Sequence, residues 1–142
     1  MRREFEPADR PTYRDVLRVH ERLCADYLAN PVPSALDRVL GHHGRLVDEL
    51  MRPGRFELGA LAQTPGAERA LRGAFHTSAE FLLRHKHADW GDLCPEDQRV
   101  NEDALRWGSR LLSSYRTRLD DKLWVITEWD RSATTILLPE EY

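Results

Sequence analysis

Four side chains in one short stretch, His85, His87, Asp89 and Asp92, are of the types that bind transition metals. Imidazole and carboxylate together suit zinc, manganese or iron, and a loop can bring them to one point. Each also has a plainer reading. A histidine at a helix C-terminus is favoured by the negative end of the dipole. Asp89-Trp-Gly-Asp92 is a natural turn, its carboxylates accepting backbone N–H groups. The turn outweighs the metal centre. A small metal-dependent hydrolase or nuclease using His85, Asp89 and Asp92, with Glu128 or Asp130 contributed by the hairpin and His87 a further candidate ligand, is the alternative.

A second cluster, Glu128, Asp130, Arg131, Ser132, Thr134 and Thr135, crowds one hairpin. An acidic pair beside an arginine could do acid–base work or grip a phosphate or carboxylate. Yet Asp130 and Ser132 are ordinary turn formers, Arg131 could tie the turn to Glu128, and the threonines favour strands. Ser132 has no histidine near it in sequence, so no nucleophile–base pair is visible and no catalytic residue is assigned. Glycine-rich phosphate loops are absent and no cofactor is expected. In Gly41-His-His-Gly44, His43 falls on an apolar helical stripe, where a lone histidine is more often a hydrogen-bonded core residue than a ligand. Cys94, before Pro95, starts a helix but has no base beside it, and is read as an inert thiol.

The four tryptophans, Trp90, Trp107, Trp124 and Trp129, all lie in the C-terminal half, and most are expected in the core. Trp129, in a turn flanked by charges, is expected to be exposed, a composition typical of interface hot spots. The candidate partner-binding set is therefore Asp89, Trp90, Asp92, Glu128, Trp129, Asp130 and Arg131.

The elements that must position these residues can be read in order. Residues 1–10 form a polar arm. Pro11-Thr12 opens a helix to about Asn30, with Val16, Val19, Leu23 and Tyr27 at helical spacing. After Pro31-Val-Pro33, Ser34 caps a second helix, with Asp37 in a capping-box position, carrying Leu36, Val39, Leu40, His43, Leu46, Val47, Leu50 and Met51. The two make a helical hairpin over residues 11–52. Phe56–Gln63 reads as a strand weakened by Gly59. Thr64-Pro65 caps a helix over Gly66–Ala74. Thr77 and Glu80 form a capping box for a helix ending near Lys86, and Pro95–Trp107 is a helix stopped by Gly108. Arg110–Arg118, Leu123–Glu128 and Ala133–Leu138 then form an antiparallel meander. Leu123, Trp124, Val125 and Ile126 are apolar on both faces, as in a central strand. The fold class is α+β: an N-terminal helical hairpin, then a domain over residues 55–142 with helices on a three- or four-stranded antiparallel meander.

A chain of 142 residues with 41% apolar and 32% charged residues can bury a core. Its formal charge is −3. From Lys86 onward there are 8 lysines and arginines against 12 acids. This argues against general affinity for nucleic-acid phosphate, and no basic recognition helix is present. Two distant cysteines, with no signal-peptide pattern, suggest reduced thiols in a cytoplasmic protein, and no run is long enough for a membrane helix.

Phe56–Tyr142 resembles a family of small uncharacterised bacterial proteins carried on plasmids, phages and integrated elements. The resemblance rests on Thr64-Pro-Gly-Ala67, His85 with Asp89-Trp-Gly-Asp92, Asp97 and Asn101. Gly108, Arg110, Ser114-Tyr115, Trp124-Val-Ile-Thr-Glu128, Asp130-Arg-Ser132 and Thr134-Thr-Ile-Leu-Leu-Pro-Glu-Glu-Tyr142 extend it. The chain departs from that pattern at Ala88, where glycine is usual, at Trp129, where a small residue is usual, and at Glu68, where an apolar one is. The resemblance implies mobile-element company and no established activity. The expected function is a non-enzymatic protein-interaction module, in its sharpest form an anti-defence inhibitor (anti-CRISPR or anti-restriction) acting on a host protein complex. The hairpin is a candidate surface for that partner or for a homodimer.

Overall fold

A computed structural model describes residues 12–142; the expected N-terminal arm lies outside the described residues. The chain divides between Arg52 and Pro53 into two compact units. The first holds helices α1 (Tyr13–Ala29) and α2 (Pro33–Leu50). At the start of α1, Thr12 and Asp15 make a reciprocal capping box. α2 begins differently from the expectation. Pro33 takes the first helical position, so Val32 is the cap and no side chain caps it, while Ser34 lies inside the helix. Proline's fixed φ suits that first turn and its missing N–H is not needed there.

The second unit contains β1 (Ala60–Gln63), α3 (Pro65–Gly73), α4 (Ser78–Lys86), α5 (Pro95–Trp107), β2 (Leu111–Arg116), β3 (Lys122–Thr127), β4 (Ala133–Leu137) and a 3-10 turn (Pro139–Glu141). Thr64 caps α3, its hydroxyl accepting from the Ala67 N–H. Glu80 reaches back to the Thr77 N–H at 2.7 Å. Gly108, at φ +80°, closes α5 in the left-handed region that favours glycine.

The sheet order is β1-β4-β3-β2. β2, β3 and β4 form the antiparallel meander, but β1 pairs with β4 in parallel. The sheet is therefore mixed rather than purely antiparallel. β1 reaches β2 through three helices and enters at the opposite edge, so no tight turn fixes its direction. The strand is also shorter than Phe56–Gln63 because Gly59 bends at φ +69°, where a Cβ would strike the Ser132 carbonyl.

Strand register sorts the side chains into two faces. Leu111, Thr127 and Thr134 form one rank, and Ser113, Val125 and Ile136 the next, with Tyr115 opposite Leu123. All of these are buried. α4 is buried nearly all round, through Ala79, Glu80, Phe81, Leu82, Leu83, His85 and Lys86. It is the central helix of the unit. Ile126, on the opposite face of β3, is buried as well. Truncating Ile126 to alanine is expected to cost about 2–5 kcal/mol, read from urea denaturation. A loss below about 1 kcal/mol would contradict the central placement of β3.

Candidate functional site

His85 is fully buried and both its ring nitrogens are hydrogen-bonded: Nδ1 lies 2.6 Å from the Ser113 hydroxyl and Nε2 2.9 Å from that of Thr127. Thr127 and Thr134 share a bond of 2.7 Å, and the Thr134 hydroxyl donates to the Leu58 carbonyl at 2.6 Å. The direction of the chain follows from counting protons. A hydroxyl has one. Thr134 gives its proton to the carbonyl, so it accepts from Thr127. Thr127 must then accept from Nε2–H, which leaves Nδ1 to accept from Ser113. The ring is thus a neutral Nε2–H tautomer inside a one-way chain, each bond polarising the next.

Such a histidine has no lone pair left for a metal. Of the other expected ligands, Asp89 is committed elsewhere. Arg84 Nε donates to Asp89 at 2.8 Å, and Asp89 also accepts from the Gly91 N–H. Asp92 faces Arg116 at 3.8 Å, and His87 is the residue following α4. Among the described residues, no three His, Cys, Asp or Glu side chains are grouped to hold a metal ion. The Ser113–His85 pair has the reach of a nucleophile and base, and spacing gave no hint of it. Both are sealed from solvent, so no substrate can approach either.

The partner-binding candidates separate into two groups. Trp90 is buried, its indole N–H donating to Glu102 at 2.9 Å, within a cluster with Ala104, Leu111 and Phe56. It cannot be a contact residue. Asp89 is held by Arg84, leaving Asp92 as the exposed acid of that loop. Arg131 is not free to grip a partner either. Its guanidinium donates to the carbonyls of Ser109, Glu128, Trp129 and Ala104, which ties the β3–β4 turn to the end of α5. Asp130 accepts from the Ser132 N–H, and its hydrogen bonds with Ser132 hold its carboxyl below the usual range.

What this turn presents is Trp129, 65% exposed. Two other large aromatics of this unit are exposed as well. Trp107 at the end of α5 is 75% exposed, although most of the tryptophans were expected in the core, and Tyr142 is 71% exposed. Arg110 joins Tyr142 to Glu128, donating to the phenol oxygen at 2.6 Å and to the carboxylate at 3.3 Å. The Tyr142 ring meets Trp124 edge to face at 5.9 Å. Arg131 thus fastens the turn that carries Trp129, and Arg110 holds Tyr142 to Glu128 at the end of β3. Trp107 could have been suspected from its place beside Gly108, at the last turn of a polar helix. Tyr142 carried no such signal.

The distinctive chain ending has a structural role of its own. Glu141 accepts from the Thr64 hydroxyl, the Gly66 N–H and the Leu138 N–H. It sits at the positive start of α3, and these bonds, the Thr64 hydroxyl first, hold its carboxyl below the usual range. A Cβ on Gly66 would press against that carboxylate, so a larger residue there would have to displace Glu141 from these bonds. Comparison with protein-family models, with curated proteins and with solved structures gave no match in any of the three.

Burial, and secondarily the Arg131 charge, pushes His85 down to about 3. The unfolded chain takes up that proton near the ordinary value of about 6.5. The folded state is therefore favoured fully above pH about 6.5 and loses about 1.4 kcal/mol per unit as pH falls toward 3. Between pH 7 and 5, wild-type protein is expected to lose about 2 kcal/mol more than His85→Gln, measured by urea denaturation. Equal losses would mean that the ring protonates freely inside the fold.

Proposed function

We propose that this chain is a non-enzymatic protein-interaction module that binds another protein through its exposed aromatics Trp107, Trp129 and Tyr142, with Trp129 at the centre of the contact. The observation that carries this reading is Trp129, a large apolar side chain exposed on a turn that Arg131 fastens to four carbonyls. Exposed tryptophan on an immobile support loses little conformational freedom on binding, which is the character of an interface hot spot. Glu128, Trp129, Asp130 and Asp92 remain accessible for contacts, whereas Trp90 and Arg131 act as supports. The resemblance to proteins of plasmids and phages supports the sharper form: an inhibitor of a host defence complex, of the anti-CRISPR or anti-restriction kind. A metal-dependent hydrolase has less support, because His85 is enclosed in hydrogen bonds and Asp89 is paired with Arg84.

Trp129→Ala is expected to lower affinity for the partner at least tenfold while leaving the melting temperature within a degree or two. The comparison is an affinity capture from the native host with both proteins, followed by titration of the recovered partner. Undiminished binding by Trp129→Ala combined with Trp107→Ala would sink the reading.

A further inference from the structure

The helical hairpin carries more apolar surface than its interior uses. Val16, His20 and Cys24 of α1 and Ala35, Val39 and Leu46 of α2 form the buried seam. Beside the seam on α2 runs a second stripe: Leu36, Leu40, His43, Val47 and Met51. Leu40 is 62% exposed, Met51 78% and Val47 39%. The spacing of 4, 3, 4 and 4 keeps all five on one face of the helix, and none is a full charge. In an antiparallel pair, the flank that follows the seam on one helix lies on the same side as the corresponding flank of the other. That brings Leu17 and the exposed Leu28 of α1 onto this face as well.

A charged partner would find no counter-charge along the stripe, but the stripe is complementary to itself. Two copies of α2 can be set antiparallel about a two-fold axis midway between His43 and Gly44. Leu40 then falls opposite Val47 of the second copy, Leu36 opposite Met51, and His43 opposite Gly44. A Cβ on Gly44 would meet nothing within 4 Å, so an open space faces the opposing imidazole. Isologous pairing of this kind, with residue i on j and j on i, is what a closed dimer requires. The area is of the right order. Two helices side by side, about 27 Å long and about 20 Å wide, project on the order of 500 Å². Their corrugated accessible surface is larger, approaching the roughly 800 Å² per partner of a stable interface. We infer that two copies of this chain associate through the α2 stripe, their hairpins joining into a four-helix bundle.

Sedimentation and light scattering of the full chain test this independently of the exposed aromatics of the second unit. Wild-type protein is expected at twice the chain mass across micromolar concentrations, and Leu40→Glu at the chain mass with its helix content kept. Should Leu40→Glu lose helix, Gly44→Ala decides. A lone helix gains from that change through alanine's higher propensity, whereas the dimer loses the space for His43 and its dissociation constant should rise at least tenfold. A wild-type monomer at high micromolar concentration would overturn the inference, as would a dimer whose affinity neither substitution weakens.

Discussion

The second unit depends on one buried hydrogen-bond chain that runs from Ser113 through His85, Thr127 and Thr134 to the carbonyl of Leu58. It joins α4 to three strands and to the segment that leads into β1. A purely apolar core would leave the register of those strands to shape alone. Here each polar group is satisfied only in one alignment, and a slip of one residue would turn the threonines to the other face. An unpaired group in this position costs about 1–3 kcal/mol. The chain therefore specifies the arrangement as much as it stabilises it.

The other fastenings sit outside this frame. Phe56 lies between the core and the surface, edge-on to His85 at 5.1 Å and facing the Arg131 guanidinium at 5.9 Å. Arg131 in turn ties the end of α5 to the β3–β4 turn. Glu141 does the same for the chain ending and α3, which joins two motifs far apart in sequence, Thr64-Pro-Gly and Pro-Glu-Glu-Tyr. Residues suggestive of chemistry thus become supports, and the side chains they hold outward are aromatic. The fastened residues lie inside, and the exposed aromatics stand at the tips of elements.

Much of the fold was legible from local rules. Capping residues and prolines marked α3, α4 and α5, and the run Leu123–Ile126 identified the central strand, because these signals depend on near neighbours. The parallel pairing of β1 was not legible, since its direction depends on a crossover of three helices. Nor was the role of His85, for two of its partners lie 28 and 42 residues away in sequence. That Trp90, a contact candidate, is buried and Trp107 exposed was hidden for a similar reason. Glu102 offers the Trp90 indole N–H a partner at the edge of the core, while the last turn of α5 directs Trp107 to solvent. Charged neighbours did identify Trp129 correctly, as a turn leaves its side chain nowhere to pack.

The direction of the hydrogen-bond chain is open to direct measurement by nitrogen-15 NMR of the imidazole rings. The account predicts that His85 carries its proton on Nε2, that this proton exchanges slowly with water, and that neither feature changes between pH 7 and 5. A ring protonated on Nδ1, or one that titrates near the ordinary value of about 6.5, would contradict it.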